Sequence, residues 1–301
     1  MKSARLVFAC VAVLAACTPK PSATVPVSID DLAWIGPDAD PIEVLTEEPR
    51  TCLKTASPSI EVGELLFNSP LLLGGQAAKA GLHCGACHRN GRGNPDFVFH
   101  GVSGVAGTAD VTHGLFGPDR ADDMFNPVVI PDLAVPEGRV RVDRNSPGAV
   151  EAFLEAQIVE EFDGAAPSKT VIAALAAYVR ALDEDACDGT GDKAVSWRDE
   201  TRRIKAGLAE LTSSSDMDAQ TERALRNAVR SALGRLHGRY ASADHAELRA
   251  ALLKLSQSIG TGVSPEAAVA QLDLLEPDLQ ALEATSFYNV QSLREALAAQ
   301  Q

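Results

Sequence analysis

A chain of 301 residues that is 46% hydrophobic and 5% aromatic has room for one large or two modest globular domains, which excludes a disordered or fibrous protein. Its 27 basic and 41 acidic side chains leave a formal charge of -14, which repels phosphate backbones and argues against nucleic acid as a partner. The most apolar stretch, Leu6 to Ala16, is well short of the roughly 20 residues a spanning helix needs, so an integral membrane protein is excluded too.

Lys2 and Arg5 followed by that apolar run read as an export signal. Its end, Leu14-Ala15-Ala16-Cys17, resembles the bacterial lipoprotein signal. The resemblance implies a signal peptide over residues 1–17, acylation of Cys17, and a chain anchored on the periplasmic side of a bacterial membrane. Each buried methylene of the anchor contributes about 0.8 kcal/mol. Thr18 follows the cysteine where Asp would favour the inner membrane, so the outer membrane is favoured. The alternative is a plain secretory signal with an incidental cysteine. Residues 18–31, with Pro19, Pro21 and Pro26, read as a flexible tether, and order is expected from Leu32 or Trp34. Asp188-Gly189-Thr190-Gly191 is the next break. Residues 18–190 hold 12 basic and 26 acidic side chains, whereas 191–301 hold 13 and 15. The change in character predicts two domains, over 32–190 and 191–301.

The chemistry-bearing motif is Cys84-Gly85-Ala86-Cys87-His88. Two thiols three residues apart, with a histidine next to the second, match the covalent attachment of one haem c: the thiols add to neighbouring vinyls and His88 ligates the iron. The other ring nitrogen of His88 is expected to donate to a backbone carbonyl. A zinc half-site is the competing reading, but no second close pair of ligands follows. A thioredoxin-like pair would need a βαβ context that is missing. With Cys10 removed with the signal, Cys17 assigned to lipid and Cys84 and Cys87 to haem, Cys52 and Cys187 remain. In an oxidising compartment they are expected to form a disulfide, the alternative being two free thiols.

Around this motif the chain resembles the class I cytochrome c domains of di-haem cytochrome c peroxidases. Gly63-Glu64-Leu65-Leu66-Phe67 resembles the family's N-terminal helix, and Val171 to Leu182, with Tyr178, its closing helix. Gly63 would let the two helices cross closely, with Phe67, Leu175 and Tyr178 at the crossing. Phe125 to Leu133 resembles the proline-containing loop on the distal side. The resemblance covers about 58 to 183 and implies a mainly α fold: a class I cytochrome c-like haem domain with long loops, then a C-terminal helical bundle. It departs from the family in having a single CxxCH, so a two-haem relay is absent. Met124 is the first choice for the sixth iron position, His100 and His113 are alternatives, and an open position is the third. The glycine-rich stretch from His100 to Pro118 reads as a shaping loop without regular structure, and Arg120 as a partner of a propionate or of Asp119, Asp122 or Asp123. The function expected is one-electron transfer with a redox partner protein, basic or itself a cytochrome. A peroxidase-like haem enzyme is the runner-up, and a haem-based sensor or docking module the third reading.

Beyond Lys193 the pattern is helical. Ser215 to Asp218 reads as a capping box before a stripe of Leu225, Val229, Leu233 and Leu236, with Arg223, Arg226 and Arg230 on a solvated face. Leu248, Ala251, Leu252, Leu255 and Ile259 form a second stripe, stopped by Gly260. A third helix starts at Ser264-Pro265 and is expected to break at Pro277. His237 and His245 read as surface residues.

Overall fold

Residues 27–136, 142–213 and 216–300 are described in the computed structural model. The signal with Cys17, most of the tether, and Ser215 lie outside the described residues. Packing begins at Val27, ahead of the expected Leu32: Val27 is buried with Leu45, Ala241, Phe287 and Leu293, and a 3-10 turn over Asp30–Trp34 follows it. An apolar side chain at 27 thus ties down the end of the proline-bearing segment against the C-terminal helices.

The chain is mainly helical. The first segment carries α1 (Pro41–Thr46), α2 (Pro58–Phe67), α3 (Gly75–Lys79), α4 (Cys84–Cys87), α5 (Ala149–Ala156) and α6 (Lys169–Ala181), with a π-helical turn over Gln157–Glu161 running on from α5. Four two-residue strands, β1 (Glu47–Glu48), β2 (Thr108–Ala109), β3 (Val128–Val129) and β4 (Lys193–Ala194), form two antiparallel ladders. Glu47 stands opposite Ala194, and Thr108 opposite Val129. The stretch after His100, expected to lack regular structure, therefore contributes one short strand.

Ser57 caps α2 by accepting a hydrogen bond from Ile60 N at 3.3 Å, with Pro58 at the first helical position where a missing N–H is harmless. Ser168 does the same for α6 through Val171 N. The two helices cross at Gly63. A Cβ there would run into the Ala174 carbonyl and lie 2.7 Å from Tyr178 Cβ, an approach that only glycine permits. The rings of Phe67 and Tyr178 meet at 5.2 Å, with Leu175 buried beside them.

The second segment is α7 (Trp197–Ser213), α8 (Ala219–Arg239), α9 (Ala246–Gly260), α10 (Pro265–Ala281) and α11 (Val290–Ala298). Both leucine-rich stripes are buried, Ala251 only partly. Three local expectations are corrected. Asp218, not Ser215, caps α8, its carboxylate accepting from Gln220 N and Thr221 N. Helix α10 runs through Pro277, because Leu272 and Leu279 on either side are fully buried; their burial offsets the hydrogen bond lost at proline, a cost of about 3 kcal/mol. His245 is buried: its Nε2 lies 2.9 Å from Thr285 Oγ1 and its ring stands edge-on to Tyr240.

The chain turns at Gly191, in the left-handed region at φ 78°, but the core does not divide there. Gly207 lets α7 press onto both Leu65 of α2 and Val229 of α8, where an added Cβ would sit 2.8 Å from Val229 Cγ2. One apolar cluster runs from Phe67 and Tyr178 through Leu208 and Leu233 to Ile259.

An ionic network reinforces this junction. Glu64 of α2, 1% exposed, accepts hydrogen bonds from Arg203 Nε (2.9 Å) and Arg202 Nη2 (3.0 Å). Arg203 and Arg235 both pair with Glu200 at 3.0 Å. Arg239 donates to the carbonyl of Leu45. Arg202, Arg203, Arg235 and Arg239 of the second segment thus meet the first, while Arg223 and Arg230 are exposed as expected and Arg226, half-buried, bonds Glu222 and the carbonyls of Ile259 and Val263. Burial would raise Glu64, but Arg203 and Arg202 outweigh it and hold the carboxyl below its usual range. Glu64→Gln leaves buried guanidinium charge undercompensated and is expected to destabilise the fold by about 3–5 kcal/mol, read from the urea midpoint at unchanged slope.

A disulfide joins Cys52 to Cys187, across 135 residues of sequence. Beside it Lys54 N donates to Ala181 O at 2.9 Å and Arg92 Nη1 lies 3.2 Å from Cys52 Sγ. Closing so long a loop removes entropy from the unfolded chain. Replacing both cysteines by serine is expected to lower stability by about 2–5 kcal/mol in non-reducing denaturation.

Candidate functional site

Helix α4 is one turn, Cys84–Cys87, closed by His88 N donating to Cys84 O at 2.8 Å. That turn sets the two thiols one helical step apart, and His88 leaves it in a non-helical conformation. Asn90 (φ 51°) and Gly91 (φ 75°) then reverse the chain, so that Leu133 N donates to Gly91 O at 3.0 Å. The reversal brings Pro131 O to 3.0 Å from His88 Nδ1, and Arg92 to 2.6 Å from Asp132. The segment Phe125 to Leu133, expected on the distal side, therefore ends beside His88 on its own side. The Gly91 hydrogen bond and the Arg92 ion pair are the reason.

A carbonyl only accepts, so His88 Nδ1 carries the proton and the Nε2 lone pair faces outward from that contact. Burial is the largest influence on this ring and holds it down at about 4, so the imidazole is neutral at pH 7. Burial likewise pushes the Cys84 thiol up to about 12, and Cys87 higher still. Both cysteines nevertheless retain accessible surface. Phe67 approaches His88 with ring centroids 6.4 Å apart, and a run of rings, Phe99 to Phe116 to Phe162, supplies further apolar wall to the fold.

Glu161 was not singled out by sequence reasoning. It is buried on the π-helical turn, where both thiols feel its charge, and burial pushes its carboxyl up to about 7 against the opposing pull of Arg120. The sequence offers only an acidic pair before Phe162 as a signal, because a π turn leaves no mark in composition. Arg120 lies 3.0 Å from Glu160 and 3.4 Å from Glu161, so its carboxylate partners are these and not Asp119, Asp122 or Asp123.

The other expected iron ligands lie apart. Met124 is 64% exposed and His100 is exposed, so neither side chain points into the interior. His113 is half-buried, its Nδ1 accepting from Leu115 N at 3.1 Å. His83, Gly85, Arg89, Glu200, Arg203 and Arg235 line a polar cavity of about 90 Å³. It has room for several waters, and His83 Nδ1 has no protein partner there.

The donor set discriminates between cofactors. Among the described residues no three His, Cys, Asp or Glu side chains converge as a metal cage. Thiols held as strongly as these in the protonated form are unlike the low-pKa pair of a disulfide exchanger. A porphyrin fits the arrangement: it takes two neutral thiols at neighbouring points of its edge and one imidazole lone pair below its centre, so the three need not converge. No family model, curated protein or solved structure matches the chain. In chain produced without attached haem, Cys84 and Cys87 are expected to resist iodoacetamide at pH 8 in the native state and to react within minutes in denaturant; equal rates would show thiols that burial does not protect.

Proposed function

We propose that the chain is a periplasmic c-type cytochrome that carries single electrons, with haem bound covalently to Cys84 and Cys87 and its iron ligated by His88. The observation that carries this is the neutral His88 ring, whose Nδ1 is tied to Pro131 O while Nε2 stays available. Haem would supply reversible one-electron chemistry between ferric and ferrous iron. The chain's own residues do the rest. Pro131 fixes the plane and tautomer of the imidazole and raises its basicity. The crossing of α2 and α6 at Gly63 supports Phe67 against that ring. Burial lowers the local dielectric, and the charge of Glu161 lies within electrostatic reach of both thiols.

The class I cytochrome c fold, an acylated Cys17 anchoring the chain to the outer membrane, and a redox partner that is basic or another cytochrome belong to the same proposal. The exposure of Met124 and His100 supports a second reading, a peroxidase-like enzyme, since with both directed outward a bound haem would have only His113 of the expected sixth ligands and otherwise an open position. Expressed in a host that matures c-type cytochromes, the chain is expected to yield one haem that resists acid-acetone extraction and gives a pyridine haemochrome spectrum. Cys84→Ala/Cys87→Ala should abolish it, and a wild-type chain without pigment overturns the proposal. A low-spin ferric spectrum without peroxide turnover supports the carrier, and high-spin features with turnover the enzyme.

A further inference from the structure

Large exposed apolar side chains are concentrated on one part of the surface. Val105 (71%), Met124 (64%), Phe125 (62%), Val128 (53%) and Val129 (75%) all belong to the segment on either side of the β2–β3 ladder. Their backbones lie close together: Val129 pairs with Thr108, whose hydroxyl donates to Val105 O at 2.7 Å, and the Gly104 backbone lies against the Pro127 ring. A patch of this kind on a soluble domain marks a place where another surface is buried.

The tip is also built to hold its shape. Asp122 accepts from Met124 N (2.9 Å) and Asn126 Nδ2 (3.1 Å), and Thr112 Oγ1, 3.2 Å from Asp122, donates to Asp110 Oδ1 at 2.9 Å. Asp123, at φ 57°, turns the chain at this point. These bonds are already made in the free chain, so little ordering cost remains when the apolar side chains are covered.

The charge around the patch selects what covers it. From Asp96 to Pro136 the sequence holds six aspartates and one arginine, and that arginine, Arg120, is already paired with Glu160 and Glu161. Asp119, Asp122 and Asp123 are exposed beside Met124 and Phe125. An acidic rim repels both a second copy of this chain and anionic lipid headgroups, and attracts lysine and arginine.

We propose that this patch is a docking surface for a basic protein with an apolar contact face, centred on Phe125 and Val129 and rimmed by Asp119 and Asp123. The proposal rests on the electron-carrier reading, and it names the surface through which the redox partner is met.

Haem-loaded full chain is titrated by calorimetry with a basic mitochondrial cytochrome c, a small protein whose apolar face is ringed by lysines. A one-to-one complex is expected at low salt, weakening with added salt. Phe125→Ser/Val129→Ser should weaken it at least about tenfold, and Asp119→Asn/Asp123→Asn should flatten its salt dependence, both with unchanged circular dichroism and haem content. No complex, or unchanged affinity in the apolar variant, overturns the proposal. So does vesicle binding (phosphatidylcholine with phosphatidylglycerol), or self-association, that the apolar variant loses, since the patch then serves lipid or a second copy. A chain without covalent pigment fails the haem reading alone, because calorimetry still reports on the surface.

Discussion

The structure depends on α2 being packed on two sides at once. Its glycine lets α6 approach to backbone contact at Ala174, and its leucine at 65 meets α7 at Gly207. Between those contacts Glu64 is buried against Arg202 and Arg203. Two close approaches and one ionic anchor leave the helix little freedom to shift. Phe67, at its end, is thereby fixed against Tyr178 on one side and His88 on the other. The position of the CxxCH turn is thus set by packing that begins in the segment farthest from it in sequence. The second segment acts here as a wall of the first, and is joined to it through a shared core.

The motif itself separates two environments. On one side are neutral thiols and a neutral imidazole, all desolvated. On the other is a polar cavity lined by Arg89 and by Arg203 and Arg235, which pair with Glu200; its carboxyl is held at about 2, since burial would raise it but Arg235 and Arg203 outweigh that effect. Arg89 secures the boundary by donating to the carbonyls of Val44 and Glu47, and Asn94 by donating to Ala86 O at 2.7 Å. A single helical turn placed between two such environments keeps its side chains apart by polarity.

What the sequence made legible was local or periodic. The Gly63 to Phe67 and Val171 to Leu182 helices were expected from a family resemblance carried by short local motifs, and the buried stripes of α8 and α9 from a 3.6-residue period. What escaped it depended on partners remote in the chain. His245 lies in a polar stretch and is buried only because Tyr240 and Thr285 enclose it. Pro277 breaks a helix by local rules, yet Leu272 and Leu279 bury the turns on both sides of it. Met124 was read as an inward ligand because methionine is scarce and sulfur binds iron. Its outward position is decided by Asp110, Thr112 and Asp122, whose hydrogen bonds fold the tip back on itself. Glu64 was readable in principle, since it shares the buried face of α2 with Ile60 and Phe67 at helical spacing.

The charge imbalance between the two segments was visible at once, but its use was not, because composition does not say which carboxylates face inward. Part of the acidic excess of the first segment is spent inside, where Glu64 takes arginines from the second, and a further part at Asp183, which Lys54 pairs at 2.5 Å. The aspartates at 119 and 123 lie outside, next to exposed apolar side chains. Internal pairing uses cations of both segments, and the one basic side chain between Asp96 and Pro136, Arg120, is taken up by Glu160 and Glu161. A field of one sign persists around the Phe125 tip for that reason, and within a Debye length of about 8 Å at physiological salt it acts on any approaching partner. The same distribution of charge that binds the two segments into one core therefore also gives the outer loop its polarity.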